Sequence, residues 1–268
     1  MKSTTNKFIL WFKDLSLEDV QAAGGKNAAL GEMFSNLTQL GIEVPNGFAV
    51  TSYAYDYFLD KAGLRDKIKD ILKDLDTHDL KGLRSRGQAV RKLILDANLP
   101  KDLEEQILSA YVELGKLYMP NPDVAVRSSA TAEDLPGASF AGQQETYLNV
   151  VGRDDLLSSV KKCFASLFTD RAISYRVDKG FSQFDVALSV AVQKMVRSDL
   201  DSSGVAFTID TQSGFDKVIV INASYGLGEM IVQGKVTPDE YIVFKPSLEE
   251  GYPAIIGKDL GKKESKMV

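Results

Sequence analysis

The sequence predicts an α+β fold built as two lobes. Three observations carry that reading. Helical periodicity runs from residue 26 to about residue 117 with few interruptions. Pro120-Asn121-Pro122 then ends that region sharply. After it the chain turns to short β-rich runs separated by turn residues. The expected division is therefore a mainly helical lobe over about 1–120 and a β-rich α+β lobe over about 121–268.

Residues 8–12 (FILWF) read as a short buried strand, and Ser16 with Asp19 three positions later reads as a helix entry. Leu30, Met33, Phe34, Leu37 and Leu40 recur at helical spacing, and Gly41 stops that helix. A turn at 44–47 leads into a strand at 47–51. The helical patterns from Ser52 to Leu117 break near Gly63, near Thr77 and at 98–100. Residues 124–127 (VAVR) read as a strand entering a small-residue loop, 128–142, and residues 143–150 as the strand leaving it. A helix is expected at about 154–168, with Leu156, Leu157, Val160, Cys163, Phe164 and Leu167 on its apolar face. Further β-rich runs follow at 186–196, 203–209, 217–223 and 240–245.

Composition bounds the function. The 268 residues are 44% apolar and 26% charged, an ordinary globular profile with room for a sizeable core. Lys plus Arg is 32 against 37 Asp plus Glu, a net charge of −5, which argues against general nucleic-acid binding. A local basic pocket can still hold a small phosphate ligand. No apolar run approaches the length of a membrane span, and 8–12 is too short for a signal peptide. One cysteine, Cys163, permits no internal disulfide and suits a reducing cytoplasm. The sequons at Asn36 and Asn222 then carry no meaning. His78 is the only histidine, so histidine metal clusters and His-based triads are not expected within this chain.

Two short stretches suggest phosphate chemistry. Gly24-Gly25-Lys26-Asn27 opens the 26–40 helix. Glycines let a backbone approach a ligand, a helix start presents free N–H groups, and Lys26 adds a full charge. The spacing is not that of a P-loop. A plain glycine turn followed by a solvated lysine explains the same residues. Arg127 ends the VAVR strand beside Ser128 and Ser129, a placement suited to bidentate phosphate contact. The loop after it can fold over a polyphosphate with inward amides, or can be a bland surface loop; Glu133 and Asp134 oppose phosphate unless they hold a metal or face water. Gly226-Leu227-Gly228 lacks the third glycine of a dinucleotide fingerprint and reads as a tight turn, with Glu229 facing either a ligand or solvent. Cys163 reads as a core thiol, His78 as a surface or capping residue, and the aromatic residues at 53–58 as core.

As written strings these stretches are more specific. Segments 24–33 (GGKNAALGEM), 127–149 (RSSATAEDLPGASFAGQQETYLN), 165–176, 193–198, 204–211 and 225–241 (YGLGEMIVQGKVTPDEY) together resemble the N-terminal nucleotide-binding region of the phosphoenolpyruvate synthase and pyruvate phosphate dikinase family. The likeness covers essentially the whole chain. It is to the synthase branch, since the dikinase branch carries a Met-Pro-Gly-Met-Met type run in the long loop. Rifampicin phosphotransferase shares much of the 127–149 string and is the competing likeness.

The resemblance implies an ATP-grasp-like fold, incomplete at its C-terminal end. It implies conversion of ATP, pyruvate and water to AMP, phosphoenolpyruvate and phosphate, through a phosphohistidine on a separate domain. By position, it makes Lys26 and Arg127 the catalytic contacts to the ATP phosphates. Gly142 and Thr146 become the phosphate-covering loop and its exit strand, and Gln193, with the backbone at 194–196, the adenine contact. Mg²⁺ is expected with ATP, its ligands beyond residue 268. Pyruvate is expected on a missing domain, the full-length protein to be a cytoplasmic homo-oligomer, and this chain alone to be inactive. A rifampicin phosphotransferase-type region and a non-catalytic nucleotide-binding module are the alternatives.

Overall fold

The computed structural model describes residues 6–131 and 145–268. The chain divides into two compact units, Met1–Met195 and Val196–Val268.

The first unit is a five-stranded antiparallel sheet in the order β1-β2-β5-β3-β4. Its strands are β1 (Ile9–Trp11), β2 (Gly47–Val50), β3 (Val124–Ala130), β4 (Thr146–Val150) and β5 (Leu188–Lys194). Helix α1 (Val20–Leu37) lies between β1 and β2 in sequence. The helices α2 (Ser52–Lys61), α3 (Leu64–Leu72), α4 (Leu80–Asp96) and α5 (Lys101–Leu117) fill the stretch from β2 to β3. Helices α6 (Arg153–Ser166) and α7 (Asp170–Asp178) precede β5.

This topology moves the division away from the expected position near residue 120. Both edges of β2 are used: Ala49 pairs with Leu10 of β1 and with Ala191 of β5. Strand β5 in turn pairs with β3 along its length, from Val124↔Lys194 to Ala130↔Leu188. Strands β3, β4 and β5 thus complete the sheet that β1 and β2 begin, and the break falls only after β5.

The two faces of this sheet differ because residues alternate along each strand. Phe48, Val50, Val124, Val126, Val190 and Val192 face one core, with Tyr55, Phe58, Ile68, Val90, Ile94, Leu103, Ile107 and Phe164 supplied by the helices. Phe164 stacks on Phe58 and tilts against Tyr55. The opposite face carries Ala49 and Ala191, and α1 with Leu10, Phe12 and Leu15 covers it in a smaller cluster. Small side chains there let a helix backbone come close.

Several helix ends follow their sequence signals. Ser16 and Asp19 form a capping box. Thr51 accepts from the Ala54 amide at the start of α2, and Thr169 from the Ala172 amide at the start of α7. Two expectations shift. Ser128 and Ser129 belong to β3 and not to the loop, because both edges of that strand are hydrogen-bonded there or nearby. The expected helix at 154–168 is followed by a separate helix, α7, which buries Ala172, Ile173 and Arg176.

The second unit is a four-stranded antiparallel meander, β6-β7-β8-β9. Its strands are β6 (Ser202–Phe207), β7 (Val218–Tyr225), β8 (Asp239–Phe244) and β9 (Ile255–Asp259), with short helices α8 (Glu229–Val232) and α9 (Lys245–Glu249) in the connections. Gly226, at φ 80°, makes the turn after β7, and Glu229 opens α8. Helices and two antiparallel sheets together make an α+β protein.

Candidate functional site

Helix α1 is interrupted. Gly24 has φ 74° and ψ 160°, outside the helical region, so the helix restarts at Gly25. A restart leaves the amides of its first turn without carbonyl partners in the preceding turn. The glycine is required twice over. Its φ is positive, and a Cβ there would lie 2.6 Å from the Ser129 carbonyl oxygen. The α1 backbone therefore rests directly on β3.

Asn27 fixes the next contact. It is fully buried, and its Nδ2 donates to Ser189 Oγ at 2.6 Å. Ser189 on β5 lies opposite Ser129 on β3. Asn27 Oδ1 and Ser129 Oγ are buried without a hydrogen-bond partner among the described residues. A polar patch, Asn27-Ser189-Ser129, thus lies under the restart of α1, beside the small residues Ala49 and Ala191.

Arg127 sits two residues before Ser129 on β3, hence on the same face, roughly 7 Å along the strand. Its side chain is exposed while its strand neighbours are buried. Thr146 of β4 lies opposite it on one side and Ala191 of β5 on the other. Gln193 lies one pleat further along β5, level with Ala125 and Gly47. It is 8% exposed, and its Nε2 donates to the Pro45 carbonyl at 3.1 Å.

The structure brings four of the five expected residues to one side of one sheet. Arg127, Thr146 and Gln193 share the face by register, and Lys26 is exposed two residues after the glycine that abuts Ser129. Gly142 lies outside the described residues. The stretch after Gln193 is already engaged. The Lys194 amide donates to Asn46 O, the Met195 amide to Asp123 O, and the Met195 carbonyl accepts from Lys194 Nζ. Those groups, like Gln193 Nε2, are hydrogen-bonded within the protein.

Sequence reasoning passes over Asn27, Ser129 and Ser189 as functional groups. A signal exists in the alternation Ser189, Ala191, Gln193, which places small or polar residues where a core strand would carry valine. Two expected bystanders stand as bystanders. Cys163 is buried in the helical core, where burial pushes its thiol well above the usual range. His78 is exposed ahead of α4, its amide donating to Asp76. Arg176 was not anticipated. It is wholly buried, donates to Gln183 and to the Leu167 carbonyl, and lies over the Phe168 ring. Burial brings it down to about 10.

Among the described residues no group of three or more His, Cys, Asp or Glu side chains could hold a metal ion. No described helix is long and apolar enough to cross a membrane.

The arrangement offers two cations, a helix start and a hydroxyl on one face of a sheet, a set that can bind a polyphosphate. The family described as "Pyruvate phosphate dikinase, AMP/ATP-binding domain" matches residues 20–268. The phosphoenolpyruvate synthase of Aquifex aeolicus is 60% identical over 261 residues, which are 97% of this chain and 30% of that protein. Those of Escherichia coli (52% over 264 residues) and Helicobacter pylori (51% over 263) each cover 98% of this chain. The chain spans about a third of the length of these curated relatives.

Proposed function

Because the chain belongs to the pyruvate phosphate dikinase AMP/ATP-binding family, we propose that it is the ATP-binding region of a phosphoenolpyruvate synthase. In the full-length protein, ATP, pyruvate and water give AMP, phosphoenolpyruvate and phosphate. ATP gives up its β,γ-diphosphoryl group to a carrier histidine on a separate domain, leaving AMP. Water then removes the outer phosphate, and the remaining phosphoryl group passes to pyruvate.

The observation that carries this reading is the seat of Gly24 on Ser129. It sets the start of α1, with Lys26, against the strand that presents Arg127. Two cations held on rigid elements stabilise the negative charge that spreads over the transferring phosphates, without having to reorganise. Thr146 lies beside Arg127 at the exit of the covering loop, to which Gly142 is assigned. Gln193 orients the adenine with its amide, exchanging the Pro45 contact for the base. On this reading the first unit is the first half of an ATP-grasp-like fold and the meander contributes to the second.

The described residues do not form a site of three or more His, Cys, Asp or Glu for the Mg²⁺ that accompanies ATP. It arrives with ATP and takes its protein ligands outside this chain. His78 is in no carrier motif, so the carrier histidine and the pyruvate site are assigned to other domains of a cytoplasmic, homo-oligomeric protein. The synthase relatives favour pyruvate over rifampicin as the acceptor.

Calorimetry tests the assignment. ATP should bind the 268-residue chain weakly and a longer chain, with Mg²⁺, more tightly. Lys26→Ala and Arg127→Ala should each weaken binding of the triphosphate more than that of adenosine. Equal loss for both ligands would sink the phosphate role.

A further inference from the structure

A second basic site lies on the other side of the same sheet. A cavity of about 850 Å³ is lined by α4, α6, the start of α7 and β4. Its position follows from register. Tyr147 on its wall pairs with Val126 and packs on the helical core, whereas the preceding residue, Thr146, lies beside Arg127 on the α1 face. The cavity is therefore separated from the candidate nucleotide face by the sheet itself.

Five cations reach it: Arg84, Arg91 and Lys92 from α4, Lys162 from α6 and Arg171 from α7. Three acids face them: Asp96, Glu145 and Asp170. The acids are already engaged. Asp170 pairs with Arg91 at 3.1 Å, Asp96 pairs with Lys92 at 2.6 Å, and Glu145 is hydrogen-bonded to Tyr147. Lys162 lies over the Tyr147 ring, 5.4 Å from its centroid. Arg84 and Arg171 have no ion-pair partner among the described residues. An acidic chain thus gathers positive charge from three helices around one concavity, with two guanidinium forks not ion-paired among the described residues. The cavity is of the size that takes a nucleotide or smaller ligand, and guanidinium forks match phosphate oxygens in pairs.

We propose that this cavity binds a small phosphate-bearing anion, held by Arg84 and Arg171 with Lys162 beside them. Gln88, on the same stripe of α4, supplies a neutral donor. The shared chemistry is the phosphate group, whether free, on a nucleoside or on a sugar.

Inorganic pyrophosphate is the probe, titrated calorimetrically without magnesium into the 268-residue chain carrying K26A and R127A. That background removes the nucleotide face, so failure of the ATP assignment and failure of this site are read separately. Saturable one-to-one binding is expected, weakened at least about tenfold by adding R84E and R171E, and less by R84Q and R171Q. Both arginines are exposed and have no ion-pair partner among the described residues, so the melting temperature should stay put. Parallel titrations with AMP and glucose 6-phosphate identify the source: tighter binding of either names the carrier of the phosphate, and equal binding assigns recognition to the phosphate alone. The proposal is overturned if pyrophosphate gives no saturable heat up to about 10 mM, if K26A and R127A abolish binding, or if R84E and R171E leave it unchanged.

Discussion

The two faces of the five-stranded sheet use the same strands for different ends. On one, Phe48, Val50, Val126, Val190 and Val192 meet a layer of helices in a dense apolar core. On the other, glycine, alanine and serine occupy most of the central alternate positions, with Arg127 and Gln193 among them, and one interrupted helix lies backbone to backbone on β3. Bulk on the first face buries apolar area, the main source of stability. Smallness on the second gives up that area and gains close approach, which a ligand-binding surface needs. The faces should therefore respond to substitution differently, one in stability and the other in binding and rate.

The largest effect is expected in the helical core. Phe164→Ala removes a fully buried ring stacked on Phe58 and tilted against Tyr55 and should cost about 3–5 kcal/mol of unfolding free energy, read from the urea midpoint. A loss below 1 kcal/mol would mean that this face is not the stabilising one. Next comes Arg127→Ala in the full-length protein. It should cost about 2–4 kcal/mol of transition-state stabilisation, measured by single-turnover formation of AMP, with an unchanged melting temperature. A large drop in melting temperature with normal turnover would reverse the contrast between the faces.

Two glycines sharpen it further. Gly24→Ala forces a side chain into the positive-φ region and against the Ser129 backbone, and should cost about 1–3 kcal/mol or more, with weakened ATP binding. Gly41→Ala, also at positive φ but with nothing within 4 Å of its Cβ, should cost only the strain, about 1 kcal/mol, and leave binding alone. Equal costs would show that contact with β3 adds nothing. Of similar size is Thr51→Ala, which removes the cap of α2 and a hydrogen bond to the Lys7 carbonyl and should cost about 1–2 kcal/mol by thermal denaturation.

Much of the first unit is legible in the sequence where one face of an element is bulky. The apolar face of α6 and the alternation in 186–196 each mark an element whose burial decides its conformation, whereas the periodic Leu30, Met33, Phe34 and Leu37 mark α1 as a helix without marking its buried face, which is Ala22, Ala23, Ala28 and Gly31. What escapes is set by contacts distant in the chain. Ser128 and Ser129 look like loop residues because small polar side chains favour turns, yet β5 holds them in a strand. The interruption at Gly24 is visible as a glycine pair, but its purpose depends on Ser129, over a hundred residues away. Helix α7 is hidden because its sequence, from Asp170 to Asp178, alternates charge with apolar residues and buries an arginine. Lys26 and Arg127 stand out in the sequence as cations near a helix start and a strand end; that Arg127 lies in mid-strand, on the face that carries Ser129, follows from pairing with β5.

The central position of β5 also bears on synthesis. Its neighbours β2 and β3 are made long before it, and Gly47 must wait for Gln193, 146 residues later. The meander beyond joins each strand to the next in sequence and closes locally. At ordinary elongation rates the first sheet stays open for roughly 10–40 s from initiation, with the valines of β2 and β3 lacking their middle partner. That nascent interval, more than the finished molecule, is where this polypeptide is most exposed to mispairing and most in need of a chaperone.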